Sequence, residues 1–207
     1  MSKIQNFKMY IDGQWVDSSS GKNIETLNPE NNKVWATVPA ANEKDVDKAV
    51  QCAQIAFENS WSKLHPRDRA KYLRSIADQL RANAEHLGKI ETIDTGKLYR
   101  ETKTQANYIA EYYDYFAGLA DKVEGTVVPI DKPDMQVTTT RIPIGVVAAI
   151  IPWNSQMLLT AVKLAPALAM GNTVVIKASE LAPVTLLEFG KLIEKAGIPK
   201  GVINIIT

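Results

Sequence analysis

A chain of 207 residues with 45% hydrophobic side chains can bury a sizeable core as one large domain or two small ones. Its 24 basic and 23 acidic residues leave a formal charge of +1, so neither nucleic acid nor an anionic membrane is expected as a partner, and small molecules or other proteins are. Cys52 is the single cysteine, which rules out an intrachain disulfide or a cysteine-rich metal site and suits a reducing, cytoplasmic setting. No stretch reaches the roughly 20 apolar residues of a membrane span, and no apolar segment follows Met1-Ser2-Lys3, so neither insertion nor secretion is expected.

The first part, to about Pro39, predicts a hairpin-rich lead-in. Strand-like runs at 7–11 and 34–38 are separated by the turn formers Asp12-Gly13 and Asn28-Pro29. Helices follow. Apolar residues recur at three- and four-residue intervals at Val46, Ala49, Val50, Ala53 and Phe57, then at Tyr72, Leu73, Ile76, Ala77 and Leu80. Asn42 suits an N-cap, Pro66 a first helical turn and Gly96 a left-handed terminator. A further helix over about 101–119 carries Tyr108, Tyr112, Tyr115 and Phe116, a stripe that reads as core rather than as a cofactor box. Cys52, among Ala49, Ala53 and Ala56, reads as structural. His65 and His86 lack metal-ligand spacing, and no metal site is expected.

Segments 126–130 and 135–142, joined by Asp131-Lys132-Pro133-Asp134, predict an exposed β-ribbon. Its edges need cover, from a partner subunit or from the same chain. The pattern then changes. The continuous apolar run 145–151 predicts a strand covered on both faces, followed by a helix at 157–168, a strand at 173–177, a helix at 184–196 and a strand at 202–206. The fold class is therefore α/β: a helical N-terminal region, then the first part of a Rossmann-like parallel β-α-β-α-β sheet, with a protruding ribbon. The expected division is 1–124 for hairpins and helices of a cofactor-binding domain, 125–143 for an oligomerising ribbon and 144–207 for the parallel unit.

An open parallel sheet binds ligands beyond the carboxyl ends of its strands. Function is therefore sought at Pro152-Trp-Asn-Ser-Gln156 and at Lys177-Ala-Ser-Glu180. On position alone Asn154 is a turn residue, Lys177 is a solvated strand end, and Glu180 suits the positive end of a following helix.

Four consecutive blocks make the pattern specific: Ile150-Ile-Pro-Trp-Asn154, Lys163-Leu-Ala-Pro-Ala-Leu-Ala-Met-Gly-Asn172, Val174-Val-Ile-Lys-Ala-Ser-Glu180 and Ala196-Gly-Ile-Pro-Lys-Gly-Val-Ile-Asn204. Together with Tyr10-Ile-Asp-Gly-Gln-Trp15, Asn28-Pro29 and Glu91-Thr-Ile-Asp-Thr-Gly-Lys97, they resemble the amino-terminal portion of the aldehyde dehydrogenase superfamily along essentially the whole chain. The resemblance implies NAD(P)-dependent oxidation of an aldehyde to a carboxylic acid. It casts Asn154 as the oxyanion donor, a neutral N–H where negative charge develops on oxygen. Ile150, Ile151, Pro152 and Trp153 would line the cofactor groove. Lys177 and Glu180 would hold the adenosine ribose beside Ser179. A carboxylate at 180 repels a 2′-phosphate, so NAD is expected over NADP, with Lys177 and Ser179 able to offset the repulsion. The family does not place a Gly-x-Gly-x-x-Gly turn here, and none is present.

Two departures concern the substrate path. Ser155 and Gln156 stand where many members carry an aromatic and a proline, and Val162 stands where an aromatic is common, which implies a wider tunnel and tolerance of bulky aldehydes. Lys163 reads as a helix-surface lysine, although in some members it helps hydration. The family's nucleophilic cysteine and its base, a glutamate, have no counterpart here, and the run 202–206 has no covering helix after it. The expectation is thus a partial sequence of a homo-oligomeric enzyme, inactive alone. The alternatives are one half of a split enzyme and a non-catalytic nucleotide-binding or oligomerisation module.

Overall fold

The computed structural model describes residues 4–207. The lead-in consists of β1 (Gln5–Asn6), β2 (Met9–Ile11), β3 (Gln14–Val16), β4 (Asn23–Asn28) and β5 (Lys33–Pro39). Four helices follow: α1 (Glu43–Asn59), α2 (Pro66–Ala82), α3 (Ala84–Thr95) and α4 (Tyr99–Leu119). The ribbon strands are β6 (Val127–Val128) and β7 (Val137–Thr138). The alternating unit is β8 (Val146–Ile150), α5 (Gln156–Ala169), β9 (Thr173–Lys177), α6 (Val184–Lys195) and β10 (Ile203–Ile206).

The main sheet runs β3-β2-β10-β9-β8. β8, β9 and β10 are parallel, as expected, but β2 pairs antiparallel with β10, so the lead-in hairpin β2–β3 extends the sheet and makes it mixed. β10 thereby gains its second neighbour from the start of the chain. A second sheet, β1-β5-β4, forms beside it.

Alternation along the strands sorts the core into two layers. Val175, Ile206, Met9 and Ile11 face α1 with Ala49 and Ala53. Val174, Ile176, Ile203, Ile205 and Tyr10 face the opposite way, into the larger core with α2 to α6. The α1 layer is thin because the helix sits close to the sheet. Thr173 Oγ1 donates to Ala53 O at 3.0 Å, and a Cβ on Gly201, whose φ is +76°, would lie 2.6 Å from Cys52 O. Only small residues fit that contact. The buried stripe of α1 is accordingly Asp45, Ala49, Ala53 and Ala56, while Val46 and Val50 are exposed, contrary to the apolar face read from their spacing.

The helix caps follow the sequence. Asn42 Oδ1 accepts from Lys44 N at 2.9 Å and Asp45 N at 3.3 Å, and Asp45 Oδ2 accepts from Asn42 N at 3.1 Å, a reciprocal capping box. Pro66 opens α2, and Gly96 closes α3 at φ +78°. The stripe of α4 does not follow. Ile109, Tyr113 and Ala117 are buried with Ala106 and Ala110, whereas Tyr108 and Tyr115 are exposed. The core face is rotated by one residue from the predicted one, about 100° on a helix. The displaced rings cover one another, with Tyr112 and Phe116 centroids 5.6 Å apart and Tyr115 and Phe116 5.2 Å apart.

Two strand expectations also change. The ribbon forms, but its ladder is only Val127↔Thr138 and Val128↔Val137. β8 is not covered on both faces. It ends the sheet among the described residues, with Ala148 and Ile150 exposed.

A buried arginine ties α2 to the end of α5. Arg69 Nε donates to Ala169 O at 3.0 Å and Nη1 donates to Leu64 O, so a cation sits at the negative end of the α5 dipole. Burial lowers its pKa from the usual arginine value.

Replacing Gly201 with Ala should destabilise the chain by about 2 kcal/mol or more. It forces a side chain into the left-handed region and against the α1 backbone. Urea denaturation measures the loss, and an unchanged midpoint would show that α1 does not approach the sheet this closely.

Candidate functional site

The parallel register places both candidate loops on one edge of the sheet. Ile150 pairs with Lys177, and the first residue past β8 stays in the ladder, Ile151 N donating to Lys177 O at 3.0 Å. Ala178 N likewise donates to Ile206 O at 2.9 Å. Segments 151–155 and 177–180 therefore leave adjacent strands side by side, about 5 Å apart.

Residues paired in register share a face of the sheet. Ile150, 78% exposed, lies beside Lys177 on the α1 face, beyond the reach of α1 itself. Trp153 is half exposed, and Pro152 and Asn154 are exposed. Trp153 is thus open to solvent. Ile151 is 3% exposed and faces the core, so its side chain supports the loop and only its backbone reaches the edge. Ile150, Pro152 and Trp153 thus leave exposed apolar side chains at this edge, in the same loop as the exposed Asn154 amide and beside the strand that ends in Lys177.

The second loop adds charge. Lys177 Nζ meets Glu180 Oε2 at 2.7 Å, and this hydrogen bond holds the Glu180 carboxyl below its ordinary range. Both side chains are well exposed, so the pair contributes little to stability and is free to exchange partners. Ser179 is buried, and its Oγ accepts from Leu181 N at 3.3 Å, which shapes the turn.

Gln156 departs from its sequence reading. It is fully buried, and its Nε2 donates to Ala182 O at 2.6 Å, stitching the start of α5 to the loop after β9. It cannot widen a tunnel. Ser155 is half-buried and is held by Lys97 and Gln105, so of the three departures it and the half-buried Val162 alone border open space.

The Glu91-to-Lys97 segment, which sequence reasoning left without a role, lies beneath the site. Lys97 Nζ donates to Ser155 Oγ at 3.0 Å and to Gln105 Oε1 at 2.9 Å and lies 3.7 Å from Glu91 Oε1. Burial raises the Glu91 carboxyl, and Lys97 partly opposes the rise. Asp94 Oδ2 accepts from Thr185 N at 3.0 Å and Thr185 Oγ1 at 3.1 Å. It thereby caps α6, whose own N-cap, Pro183, has no polar side chain. Burial pushes the Asp94 carboxyl up to about 7 against those hydrogen bonds. The available signal was a pair of acids on the helix face that also carries the buried Leu87 and Ile90.

The comparisons with known proteins agree on one family, whose model, described as the aldehyde dehydrogenase family, matches residues 15–207. The chain belongs to the aldehyde dehydrogenase family. It is 52% identical over 205 residues to (Z)-2-((N-methylformamido)methylene)-5-hydroxybutyrolactone dehydrogenase of Acinetobacter baylyi, covering 99% of this chain and 42% of the relative. A betaine aldehyde dehydrogenase point mutant of Staphylococcus aureus, solved in complex with NAD+, superposes with a TM-score of 0.92 at 40% identity, covering 96% of this chain and 41% of that one. An NADP-dependent enzyme of E. coli superposes with a TM-score of 0.94 at 30% identity, covering 98% of this chain and 42% of that one. The chain thus spans about two fifths of the length of these relatives. Among the described residues, no helix is long and apolar enough to cross a membrane.

The Asp94 carboxyl has a pH signature. The folded chain holds its proton up to about pH 7, whereas an unfolded aspartate releases it near 4, so this group makes folding less favourable as pH rises through that window. Asp94→Asn keeps an acceptor for Thr185 and removes the charge. Relative to the unsubstituted chain it should gain stability between pH 5 and pH 8, on the order of 2 kcal/mol. Denaturant midpoints at the two pH values test this, and parallel curves would mean that Asp94 ionises normally.

Proposed function

We propose that this chain is the first part of the nicotinamide-dinucleotide-binding domain of an aldehyde dehydrogenase that oxidises an aldehyde to a carboxylic acid. The observation that carries the reading is the in-register exit of segments 151–155 and 177–180 from β8 and β9, with Ile151 N bonded to Lys177 O. An exposed carboxamide, exposed apolar side chains and an exposed Lys-Glu pair at the carboxyl ends of neighbouring parallel strands support the reading, since open parallel sheets bind dinucleotides there.

When bound, the nicotinamide accepts the hydride that leaves the aldehyde carbon. The residues of this chain bind and orient. Glu180 accepts from the adenosine ribose hydroxyls, Lys177 donates to them, and Ser179 shapes the turn that presents both. Ile150, Pro152 and Trp153 give the cofactor a dry surface, with the Ile151 backbone beneath. Asn154 donates an N–H to the aldehyde oxygen as negative charge develops on it, and, being neutral, it leaves a nearby thiolate undisturbed. NAD is the preferred cofactor because the Glu180 carboxylate repels a 2′-phosphate, and NADP is the alternative where Lys177 and Ser179 offset that repulsion.

The nucleophilic thiol and the water-activating carboxylate belong to the remainder of the protein. Cys52 does not supply the thiol. It lies on α1 close to Gly201, near the amino end of β10 and therefore at the opposite edge of the sheet, and burial raises its pKa. Alone, the chain binds cofactor without turning over substrate. In the same proposal 1–124 and 144–207 form the cofactor-binding domain, ribbon 125–143 joins subunits of a homo-oligomer, and the protein works in the cytoplasm. The Acinetobacter relative is named for a substituted hydroxybutyrolactone. A bulky, oxygen-rich substrate of that kind suits the small Ser155 and Val162.

Assays of NAD reduction with a panel of aldehydes, on the full-length gene product, test the reading. Asn154→Ala should lower kcat by about 10²- to 10³-fold with little change in the KM for NAD. Glu180→Gln should raise the ratio of NADP to NAD efficiency about tenfold. Undiminished kcat in the first variant removes the oxyanion role, and an unchanged ratio in the second removes the ribose role.

A further inference from the structure

Besides the first backbone bond of α5, in which Ser155 O accepts from Leu159 N at 2.9 Å, the loop that leaves β8 is pinned at three points. Ile151 N is bonded to Lys177 O, the Gln156 side chain is bonded to Ala182 O, and Ser155 Oγ is bonded to Lys97 Nζ. The first two belong to the sheet and the core. The third is a side-chain contact from a different part of the chain, the turn between α3 and α4, and it falls on the residue next to Asn154.

Ser155 occupies the N-cap position of α5, yet its hydroxyl makes no capping bond to the helix. It is committed instead to Lys97 at 3.0 Å, with Gln105 Nε2 at 3.4 Å on the same oxygen. Lys97 is itself held on two further sides, by Gln105 Oε1 at 2.9 Å and by the Glu91 carboxylate at 3.7 Å. Glu91 is almost wholly buried and its Oε1 makes no hydrogen bond, so the ammonium stays over it to compensate the charge. A cation fixed in this way makes a charge-assisted bond to Ser155, stronger and more directional than a hydroxyl cap.

We propose that Lys97 is a positioning residue: by holding Ser155 it sets the direction in which the adjoining Asn154 carboxamide points. Ile151 and Gln156 fix where the loop starts and ends, and the bond from Leu159 N to Ser155 O ties the Ser155 backbone to α5; the Lys97–Ser155 bond adds a side-chain restraint on the residue next to Asn154. It is a substitute for the bulk of the aromatic residue that the family resemblance expects at this position, achieved with a hydrogen bond rather than with packing. The inference rests on the oxyanion role given to Asn154 above.

A double-mutant cycle separates this role from a general structural one. Lys97→Met, Ser155→Ala and the double variant are made in the full-length gene product. Each single variant should lower kcat about tenfold with the KM for NAD unchanged, and the double should fall no further than the worse single variant. Lys97→Arg, which restores a donor and the charge, should recover most of the loss. In parallel, hydrogen exchange of the full-length protein should quicken at the amides of 153–155 in each single variant and gain nothing more in the double, while those of β9 stay unchanged.

Additive losses, or a Lys97→Met defect undiminished in the Ser155→Ala background, would overturn the proposal, as would unchanged exchange at 153–155. Should Lys97→Met fail to fold because Glu91 is left unpaired, Ser155→Ala alone decides, since it leaves the Lys97–Glu91 contact in place. Asn154→Ala serves as the separate control. If that variant keeps full kcat the oxyanion reading fails and the positioning role fails with it, whereas a large loss there beside unaffected Lys97 and Ser155 variants sinks only the present inference.

Discussion

The structure depends on β9 being buried on both faces and paired in parallel on both sides. Val174 and Ile176 enter one layer of the core and Val175 enters the other. No slip by one residue is tolerated, because it would exchange the two layers and drive Lys177 into the core. That constraint fixes where β8 and β10 end relative to β9, and with it the adjacency of the two loops that carry the candidate chemistry. The helices and the lead-in strands cover this unit or brace those loops, and the ribbon stands apart.

Much of this was legible because the relevant signals are local. Continuous apolar runs, Pro66 at a helix start, Asn42 at an N-cap and left-handed Gly96 each act over a few residues, and each element they announce forms within one or two residues of expectation. What escaped depends on contacts distant in sequence. The faces of α1 and α4 were misjudged because periodicity shows that a helix has an apolar stripe, while the neighbour chooses which one is buried. A close sheet selects the alanines of α1, and in α4 the stripe through Tyr113 lies one residue from the stripe through Tyr112. The antiparallel β2 against β10 joins opposite ends of the chain, and no short-range pattern announces it.

The candidate site shows the same division. Ile150, Trp153, Asn154, Lys177 and Glu180 gather on one edge as the strand ends implied, because strand order and parallel direction were readable. Their supports were not. Asp94, Lys97 and Gln156 carry polar groups in places where composition suggests surface, and each satisfies a backbone or loop group of a distant segment, while Glu91 lies buried beneath Lys97. Asp94 serves a helix headed by proline, and Gln156 serves a carbonyl at position 182. These groups resist sequence reading because the partners at Ala182, Ser155 and Thr185 lie 26, 58 and 91 residues away.

Titrating NAD into the 207-residue chain and following backbone amide resonances decides whether the two strand-end loops form one dinucleotide surface. Signals from 150–155 and from 177–180 should shift together along a single saturation curve, while those of the ribbon at 127–138 stay still. Shifts confined to one of the two loops, or located elsewhere on the chain, would contradict it.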